Sequence, residues 1–478
     1  MALRNARIEP VPGRGLGVVA TRALTFPDVV CVAQAFVTGA STLEDTLRAI
    51  VRAQLGTDAR AERLLRVCWT LCPEVAGEVG ARPDGSAYSS AEGFEAILRE
   101  LPTDAARRTL AERGLATAHD LRTLAIKLSR NGFADGVFPE ASRFNHSCRP
   151  NCLFFTRRGT PAELVIVAAE PVSAGEELTI SYLPESRWHL PTDQRRLLLG
   201  RQYAFRCACR RCHRPAQPAA VRRAERTLEA MRCARCERTP GVTTEARVEV
   251  VADNDLPPGV HVPLDEHENP AGERCGGYTP CTRCGAEADE GALDQALLAC
   301  HARVRAAALA GAGGSARDAA AEHDMLRALV DDGGHALCDS HWLAIEVHWR
   351  LQATSAVLLA RGPVRSPSER LGLLREHALH SVALVRATEA LVGARSHLHA
   401  ALCARAADAL DALVVAAGGE RAPAVEEVSS HPPIATNVHA QGVRLAVDLA
   451  DVAAVRLCAA QLRDAASTVL EIVDGRAT

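Results

Sequence analysis

The sequence is poor in aromatic residues and in long apolar runs. Aromatic side chains make up only 4% of the 478 residues, and abundant Ala and Arg then favour helix over much of the chain. No stretch approaches the roughly 18 consecutive apolar residues of a membrane span, so we expect no membrane partner. The first residues, MALRNARIEPVPGRG, lack the apolar segment of a secretory signal. We therefore expect a cytoplasmic or nuclear protein.

The chain also lacks an excess of either charge. Its formal net charge is −3, which gives no electrostatic footprint for direct nucleic-acid binding. Hydrophobic residues account for 47% and charged residues for 24%, as is typical of a globular protein that buries a core. At roughly 150 residues per domain, the length predicts about three domains. We expect the molecule to be a monomer.

Cysteine, in contrast, is plentiful, with 17 residues. In a reducing compartment this number indicates metal binding rather than disulfides. Two C-x-x-C pairs, Cys233 with Cys236 and Cys281 with Cys284, offer four thiolates in turns that resemble the knuckles of a zinc ribbon. The gap between the pairs exceeds the usual ribbon spacing, and Cys275 could replace a ligand. Cysteines on a surface loop are the alternative interpretation.

A third group of cysteines forms the pattern C-x-C-x-x-C at Cys207, Cys209 and Cys212. It is one thiolate short of a tetrahedral zinc site. Cys148, in the polar stretch RFNHSCRPNC, is a candidate for the fourth ligand, although it could equally be a small buried hydrophobic residue. Residues 145–147 also form a glycosylation sequon. Glycosylation requires the secretory pathway, so we expect this sequon to stay unmodified.

Hydrophobic spacing divides the chain into β-rich and helical regions. Strand patterns cover residues 1–39 and return over 131–183. Between them, apolar residues spaced by three and four predict a helical insertion over about residues 41–125. One β domain interrupted by helices accounts for this order.

From about residue 291 the sequence is Ala-rich and helical. Ser366, Pro367 and Glu369 predict a capping box at the start of one helix. Successive helices indicate an array, without a fixed repeat period. Histidines at positions 377, 380, 397 and 399 are expected on helix surfaces.

Four motifs, taken in order, resemble the signatures of SET-domain protein lysine methyltransferases. They are GRGLGVVATRAL, SRFNHSCRPNC, GEELTISYL and RRLLLGRQYAFRCACRRC. Together with the helical insertion and the C-terminal helices, they are most similar to the SET and MYND-type subfamily. The zinc finger of that subfamily should lie in the insertion, where only Cys68 and Cys72 occur, in the helix-like VCWTLC. We therefore predict that the MYND finger is absent.

The resemblance implies an α+β fold with four parts. A β-rich SET domain would occupy residues 1–185, split by the helical insertion. A post-SET zinc segment would follow at 186–213, and a zinc-ribbon-like module at 214–290. An all-α, TPR-like helical domain would cover 291–478.

The resemblance also implies an activity, the S-adenosylmethionine-dependent N-methylation of a histone or non-histone lysine in a protein or peptide. Tyr182 would stand at the methyl-transfer centre, and Tyr203 would help to wall the lysine channel. In isolation, Tyr182 could equally be a core tyrosine of a strand. The alternative function is a catalytically inactive, SET-like zinc scaffold that recruits protein partners.

Other residues would hold the cofactor and zinc. The cofactor contacts implied by position are Arg14, Gly15, Gly17, Asn131, Asn145, His146 and Phe205, of which Phe205 would stack near the adenine. One zinc ion would be bound by Cys148 with Cys207, Cys209 and Cys212. A second would be bound by Cys233, Cys236, Cys281 and Cys284.

Overall fold

The computed structural model describes most of the chain in two compact units. The described residues are 3–35, 43–56, 59–71, 91–100, 103–133, 136–157, 163–213, 219–238, 256–263, 277–331, 337–338, 340–362, 366–393, 396–416, 458–460, 462–464, 466–467 and 469. The first unit is built mainly from Met1–Leu183 and Asp193–Cys212, and the second from Pro184–Thr192 and His213–Leu470.

Three small sheets form the β part of the first unit. A four-stranded sheet has the order β1-β2-β9-β6, a three-stranded sheet the order β3-β8-β7, and β4 pairs with β5. Strand β6 runs parallel to β9, whereas the other pairs are antiparallel. The strands are β1 (Ala6–Val11), β2 (Gly15–Ala20), β3 (Val29–Gln34), β4 (Gly132–Phe133), β5 (Gly136–Val137), β6 (Asn145–His146), β7 (Cys152–Arg157), β8 (Glu163–Ala168) and β9 (Glu177–Ile180).

Five helices lie between β3 and β4 in the described part of the chain. They are α1 (Leu43–Leu55), α2 (Ala59–Trp69), α3 (Ala91–Arg99), α4 (Asp104–Glu112) and α5 (Ala118–Asn131). They enclose a hydrophobic core of their own. Helix α5 begins with a capping box between Thr117 and Asp120. It ends at Asn131, directly before β4.

Cys68 belongs to the core of this insertion. It lies in α2 with no exposed surface, and burial raises the pKa of its thiol to about 12. A thiol in this environment acts as a small apolar side chain. Cys72 lies outside the described residues.

The second unit is largely helical. Its elements are α7 (Ala219–Thr227), β10 (Met231–Arg232), α8 (Ala234–Arg238), β11 (Val260–His261), α9 (Glu290–Ala310), α10 (Ala316–Asp331), α11 (Trp342–Arg361), α12 (Pro367–Val392) and α13 (His397–Ala416), while α6 (Thr192–Tyr203) leads back into the first unit. From α9 to α13 each helix packs on the next in chain order. No helix among the described residues combines the length and apolarity needed to cross a membrane.

The helix-start prediction is confirmed, and the histidine prediction is wrong. Ser366 and Glu369 form the capping box at the start of α12. His399, however, is buried, and His377 and His380 are half-buried. These rings lie between adjacent helices, where they hydrogen-bond to side chains of the neighbouring helix. The side chain of His397 lies outside the described residues.

Candidate functional site

A glycine turn presents Arg14 at the end of the β1–β2 hairpin. Gly13 and Gly15 have φ values of 70° and 72°, in the left-handed region that glycine adopts without a Cβ clash. The Arg14 guanidinium donates to Glu177 Oε2 at 2.5 Å and to the carbonyl oxygen of His146. The hairpin is thereby joined to β9 and β6.

Gly17 allows three elements to approach closely. A Cβ atom at this position would lie 2.7 Å from Val11 Cγ2, 2.8 Å from Glu177 Oε1 and 2.9 Å from Asn145 Nδ2. Real Cβ contacts are not this short, so any side chain here would force its neighbours apart. The packing therefore requires glycine at position 17, where the side chains of Glu177 and Asn145 meet.

Asn145 completes this polar cluster. Parallel pairing of β6 with β9 places Asn145 beside Thr179. Its amide donates to Glu177 Oε1 at 2.8 Å and to the Leu16 carbonyl at 3.2 Å. Glu177 thus accepts from both Arg14 and Asn145. Sequence reasoning did not assign a role to Glu177, although its place at the start of GEELTISYL was a usable signal.

His146 lies next to this cluster, but its ring is engaged elsewhere. The side chain is only 1% exposed. Nδ1 lies 2.9 Å from the Tyr182 backbone nitrogen, and Nε2 lies 3.2 Å from Cys148 Sγ. Burial lowers the pKa of the imidazole to about 3. The sequence predicts that His146 contacts a cofactor, but both nitrogens of its ring are engaged by the protein itself.

Three aromatic rings gather beside His146. Tyr182 and Tyr203 have ring centroids 4.9 Å apart, and Phe205 lies 6.4 Å from each. The Tyr182 hydroxyl donates to the Phe144 carbonyl at 2.7 Å. Burial raises the pKa of Tyr203. The Tyr203 hydroxyl accepts from the Gln202 side-chain amide at 3.1 Å, so the cluster is a half-buried aromatic wall in which both tyrosine hydroxyls are hydrogen-bonded.

Asn131 lies at the C-terminal end of α5. Its side-chain amide donates to the Lys127 backbone carbonyl at 2.7 Å, and its backbone carbonyl accepts from the Ser142 hydroxyl at 2.8 Å. These contacts join the insertion to the segment that precedes β6.

Four cysteines of the first unit meet in one cluster, which we call the first cysteine cluster. The Sγ atoms of Cys148, Cys207, Cys209 and Cys212 lie within 4.8 Å of one another, and all four residues are buried. Hydrogen bonds with the other three thiols, reinforced by burial, raise the pKa of Cys148 far above its usual range. Four buried thiols this close cannot all ionise without a compensating cation, and four thiolates are the ligand set of structural zinc.

Two fully buried arginines accompany the first cysteine cluster. Arg195 donates to Cys212 Sγ at 3.5 Å, and Arg211 donates to the Cys148 carbonyl at 3.3 Å. Their positive charges favour thiolate over thiol. Sequence reasoning did not select either residue, although both lie in the arginine-rich motif RRLLLGRQYAFRCACRRC.

The second cysteine cluster lies in the second unit. The Sγ atoms of Cys233, Cys236, Cys281 and Cys284 also lie within 4.8 Å of one another. Cross-pair separations are 3.7 Å, between Cys233 and Cys284 and between Cys236 and Cys281. Cys236 and Cys284 are partly exposed, whereas all four cysteines of the first cluster are buried.

Strand pairing brings the two C-x-x-C turns together despite their separation in sequence. Strand β10, which leads into Cys233, pairs with β11. The Cys233 amide donates to the carbonyl of Gly259, a residue with φ of 81°. The Thr282 amide donates to the Val260 carbonyl on the same segment. Cys275 lies outside the described residues.

A match to a known family covers much of the candidate site. Residues 15–183 match the family model described as SET domain. This region is a SET domain. It contains Gly15, Gly17, Asn145, His146 and Tyr182, together with the entire helical insertion.

The relatives matched by sequence include proteins named as lysine methyltransferases. The chain is 40% identical over 77 residues to mouse histone-lysine N-methyltransferase SMYD3, covering 16% of this chain and 17% of that protein. It is 39% identical over 84 residues to the potential protein lysine methyltransferase SET6 of Saccharomyces cerevisiae, covering 18% and 21%. Human SMYD3 is 33% identical over 129 residues, covering 25% and 27%. The chain thus spans about a quarter or less of the length of these relatives.

A solved structure also aligns with the chain. It is the crystal structure of the SET domain of LSMT bound to lysine and AdoHcy, with a TM-score of 0.27 and 12% identity, covering 99% of this chain and 86% of that chain.

Proposed function

We propose that this protein is an S-adenosylmethionine-dependent protein-lysine N-methyltransferase. The observation that carries the proposal is the junction at β6 of the SET domain. There, Asn145 closes the polar cluster with Arg14 and Glu177, and the adjacent His146 touches Tyr182 in the aromatic wall. A cofactor pocket and a lysine channel would therefore share one strand. The named activity of the matched relatives supports the same reaction.

The cofactor would be held by the glycine turn and β6. Arg14, Gly15, Gly17 and Asn145 would line its pocket, with the backbone of His146. When bound, S-adenosylmethionine supplies a methyl group already activated on a sulfonium, so the protein mainly aligns the two reactants. Gly17 fits this role because its missing Cβ lets the side chains of Glu177 and Asn145 close around its backbone and complete the polar cluster that the pocket would use. Phe205 would stack near the adenine, and Asn131 would add a further contact.

The aromatic wall would receive the substrate lysine. A free lysine has a pKa near 10.4, yet it must be neutral to attack a methyl group. Tyr182 and Tyr203 would surround the amine with half-buried rings, which disfavour the ammonium and lower its pKa. Because the Tyr182 hydroxyl already donates to the Phe144 carbonyl, its oxygen remains an acceptor that can orient the amine.

Each cysteine cluster would hold one zinc ion with a structural role. Four sulfur ligands close the tetrahedral coordination sphere, which leaves no open position for a substrate. The first zinc would fix Tyr203 and Phe205, which immediately precede Cys207. The second would hold the turns of a zinc-ribbon-like module.

We further propose the domain limits implied by the motifs. The SET domain would extend to about residue 185, followed by the post-SET segment at 186–213, the ribbon-like module at 214–290 and a TPR-like helical domain at 291–478. The partner would be a protein or peptide that offers a lysine side chain.

The test is methyl transfer together with cofactor binding. Full-length protein incubated with labelled S-adenosylmethionine and a cell lysate should label lysate proteins, and calorimetry should detect one cofactor site. Cofactor binding without transfer to any lysate protein would favour the scaffold function instead. No cofactor binding at all would contradict the proposal.

A further inference from the structure

The His146 ring lies between a cysteine of the first cluster and the backbone of Tyr182. The Tyr182 amide can only donate, so Nδ1, at 2.9 Å, must be the unprotonated acceptor. A neutral imidazole then carries its proton on Nε2, which lies 3.2 Å from Cys148 Sγ. The ring therefore donates to the sulfur.

This contact bears on a metal ligand. Cys148 Sγ lies 3.9 Å from Cys207 Sγ and 3.5 Å from Cys212 Sγ. A ring N–H directed at a thiolate makes a charge-assisted hydrogen bond. Partners of this kind orient metal ligands and strengthen metal binding.

The other contact bears on the tyrosine. Directly after β6, the Ser147 amide donates to the carbonyl of Ile180, the last residue of β9, and the backbone nitrogen of Tyr182 lies just beyond that ladder. The His146 ring takes the place of the next strand partner. Since the Tyr182 hydroxyl is bound by the Phe144 carbonyl, residues 144 and 146 hold this tyrosine at both its backbone and its hydroxyl.

We propose that His146 is a positioning residue that couples metal occupancy of the first cysteine cluster to the placement of Tyr182. Its side chain thus acts through the protein rather than on the cofactor. The part of this inference that concerns metal binding depends only on the first cysteine cluster, whereas the part that concerns Tyr182 rests on the proposed function.

Two substitutions separate the two contacts. In His146→Asn, the amide oxygen can replace Nδ1 as the acceptor for Tyr182, but nothing reaches Cys148. In His146→Gln, the longer amide can donate to Cys148 in place of Nε2, but the acceptor for Tyr182 is lost. His399→Gln is the matched control, because this buried histidine has Nε2 3.4 Å from Cys403 Sγ and Nδ1 3.0 Å from Thr388 Oγ1, away from both cysteine clusters.

The first readout is zinc release from the full-length protein to a chromogenic chelator. His146→Asn should speed one phase of release about tenfold or more, while His146→Gln and the control stay close to wild type. The phase that belongs to the second cysteine cluster serves as an internal standard. Equal release from all four proteins would overturn the inference.

The second readout is methyl transfer with zinc in excess. His146→Gln should then have a lower kcat than His146→Asn, with little change in KM, so the two variants exchange rank between the assays. The same rank in both assays would overturn the inference, whereas absence of transfer by wild type would count against the proposed function only.

A third measurement uses only the wild-type protein, so it remains informative if a variant fails to fold. Hydrogen exchange at the Tyr182 amide should be faster in wild type stripped of zinc than in wild type with zinc. An unchanged exchange rate would contradict the coupling.

Discussion

Neighbouring residues of β6 serve different purposes. Asn145 and His146 are consecutive in a strand, so their side chains point to opposite faces. One face meets Glu177 and the glycine turn, and the other meets Cys148 and Tyr182. The proposed cofactor site and the proposed zinc site would therefore share one short segment.

This division predicts different defects for two nearby substitutions. Asn145→Ala should lose cofactor binding while zinc content and folding stay near wild type. Cys148→Ala should lose one zinc ion and loosen the segment around Tyr203 and Phe205. Calorimetry with S-adenosylmethionine and metal analysis measure the two properties separately. Identical defects in both variants would refute the division.

Gly17 gives a second prediction for a single residue. Gly17→Ala should weaken cofactor binding and lower the free energy of unfolding by about 1–3 kcal/mol, since the new methyl group overlaps Glu177 and Asn145. Gly372→Ala is the matched control. An added methyl group there meets nothing within 4 Å in the interior of α12, so it should stabilise the protein by about 0.5–1 kcal/mol. Equal effects on binding would be evidence against the role of Gly17.

The motifs gave many residues of this site but not all of its contacts. Gly17 and Asn145 stand in recognisable patterns. Glu177 and Arg195 also lie in motifs, but the motifs do not reveal their contacts, because these depend on the pairing of β9 with β2 and on the burial of the Arg195 side chain. Such contacts arise only when distant segments meet.

At the scale of helices and strands, the sequence predicted local capping correctly, but it did not predict which histidines are covered by a neighbouring helix. The capping box of α12 involves residues three apart, so the sequence contains all of it. The burial of histidines in α12 and α13 depends on which neighbouring helix covers them. Apolar spacing alone could not supply that information.

Histidines that lie between the packed helices make the helical unit sensitive to acid. His380 Nδ1 lies 2.8 Å from His348 Nδ1, so one ring must donate while the other accepts. Burial lowers the pKa of His380 well below its usual value, and the nearby charges of His348, His323, His377 and Arg327 lower it further. The unfolded chain keeps the ordinary value near 6.5. Below that pH the unfolded state gains protons that the folded state excludes.

The contribution of these histidines to stability should therefore be constant above about pH 6.5 and fall as the pH drops further, by up to about 1.4 kcal/mol per pH unit for each such histidine. Denaturant unfolding followed by tryptophan fluorescence tests this, since Trp188, Trp342 and Trp349 lie in this unit. His380→Gln should reduce the acid sensitivity. His301→Gln, at an exposed position on α9, should not. An unchanged pH dependence in His380→Gln would rule out the explanation.

On the scale of the whole molecule, each unit carries one cysteine cluster among its described residues. The first cluster joins Cys148 to a segment about sixty residues later, and the second joins Cys236 to Cys281, 45 positions further along the chain. Metal binding that closes such loops contributes directly to folding. The sequence did not indicate that Pro184–Thr192 would group with the second unit, where Trp188 packs into the helical core.

Removal of zinc should abolish methyl transfer by releasing Tyr203 and Phe205, not by removing a reactive metal. Transfer should return when zinc is added back, and also with cobalt, another divalent metal that accepts tetrahedral thiolate ligands. Metal analysis and transfer assays on the same samples measure this. Full activity in a zinc-free preparation would contradict the structural role.

The proposed lysine methylation is tested most directly by identifying which chemical group receives the methyl group. Full-length protein, S-adenosylmethionine and lysate proteins should give methyl groups on lysine side chains, detected by mass spectrometry. Tyr182→Phe should reduce this product strongly, whereas Tyr278→Phe, which removes a tyrosine hydroxyl in the second unit, should not. Absence of methyl-lysine, or equal yields from the two variants, would contradict the account.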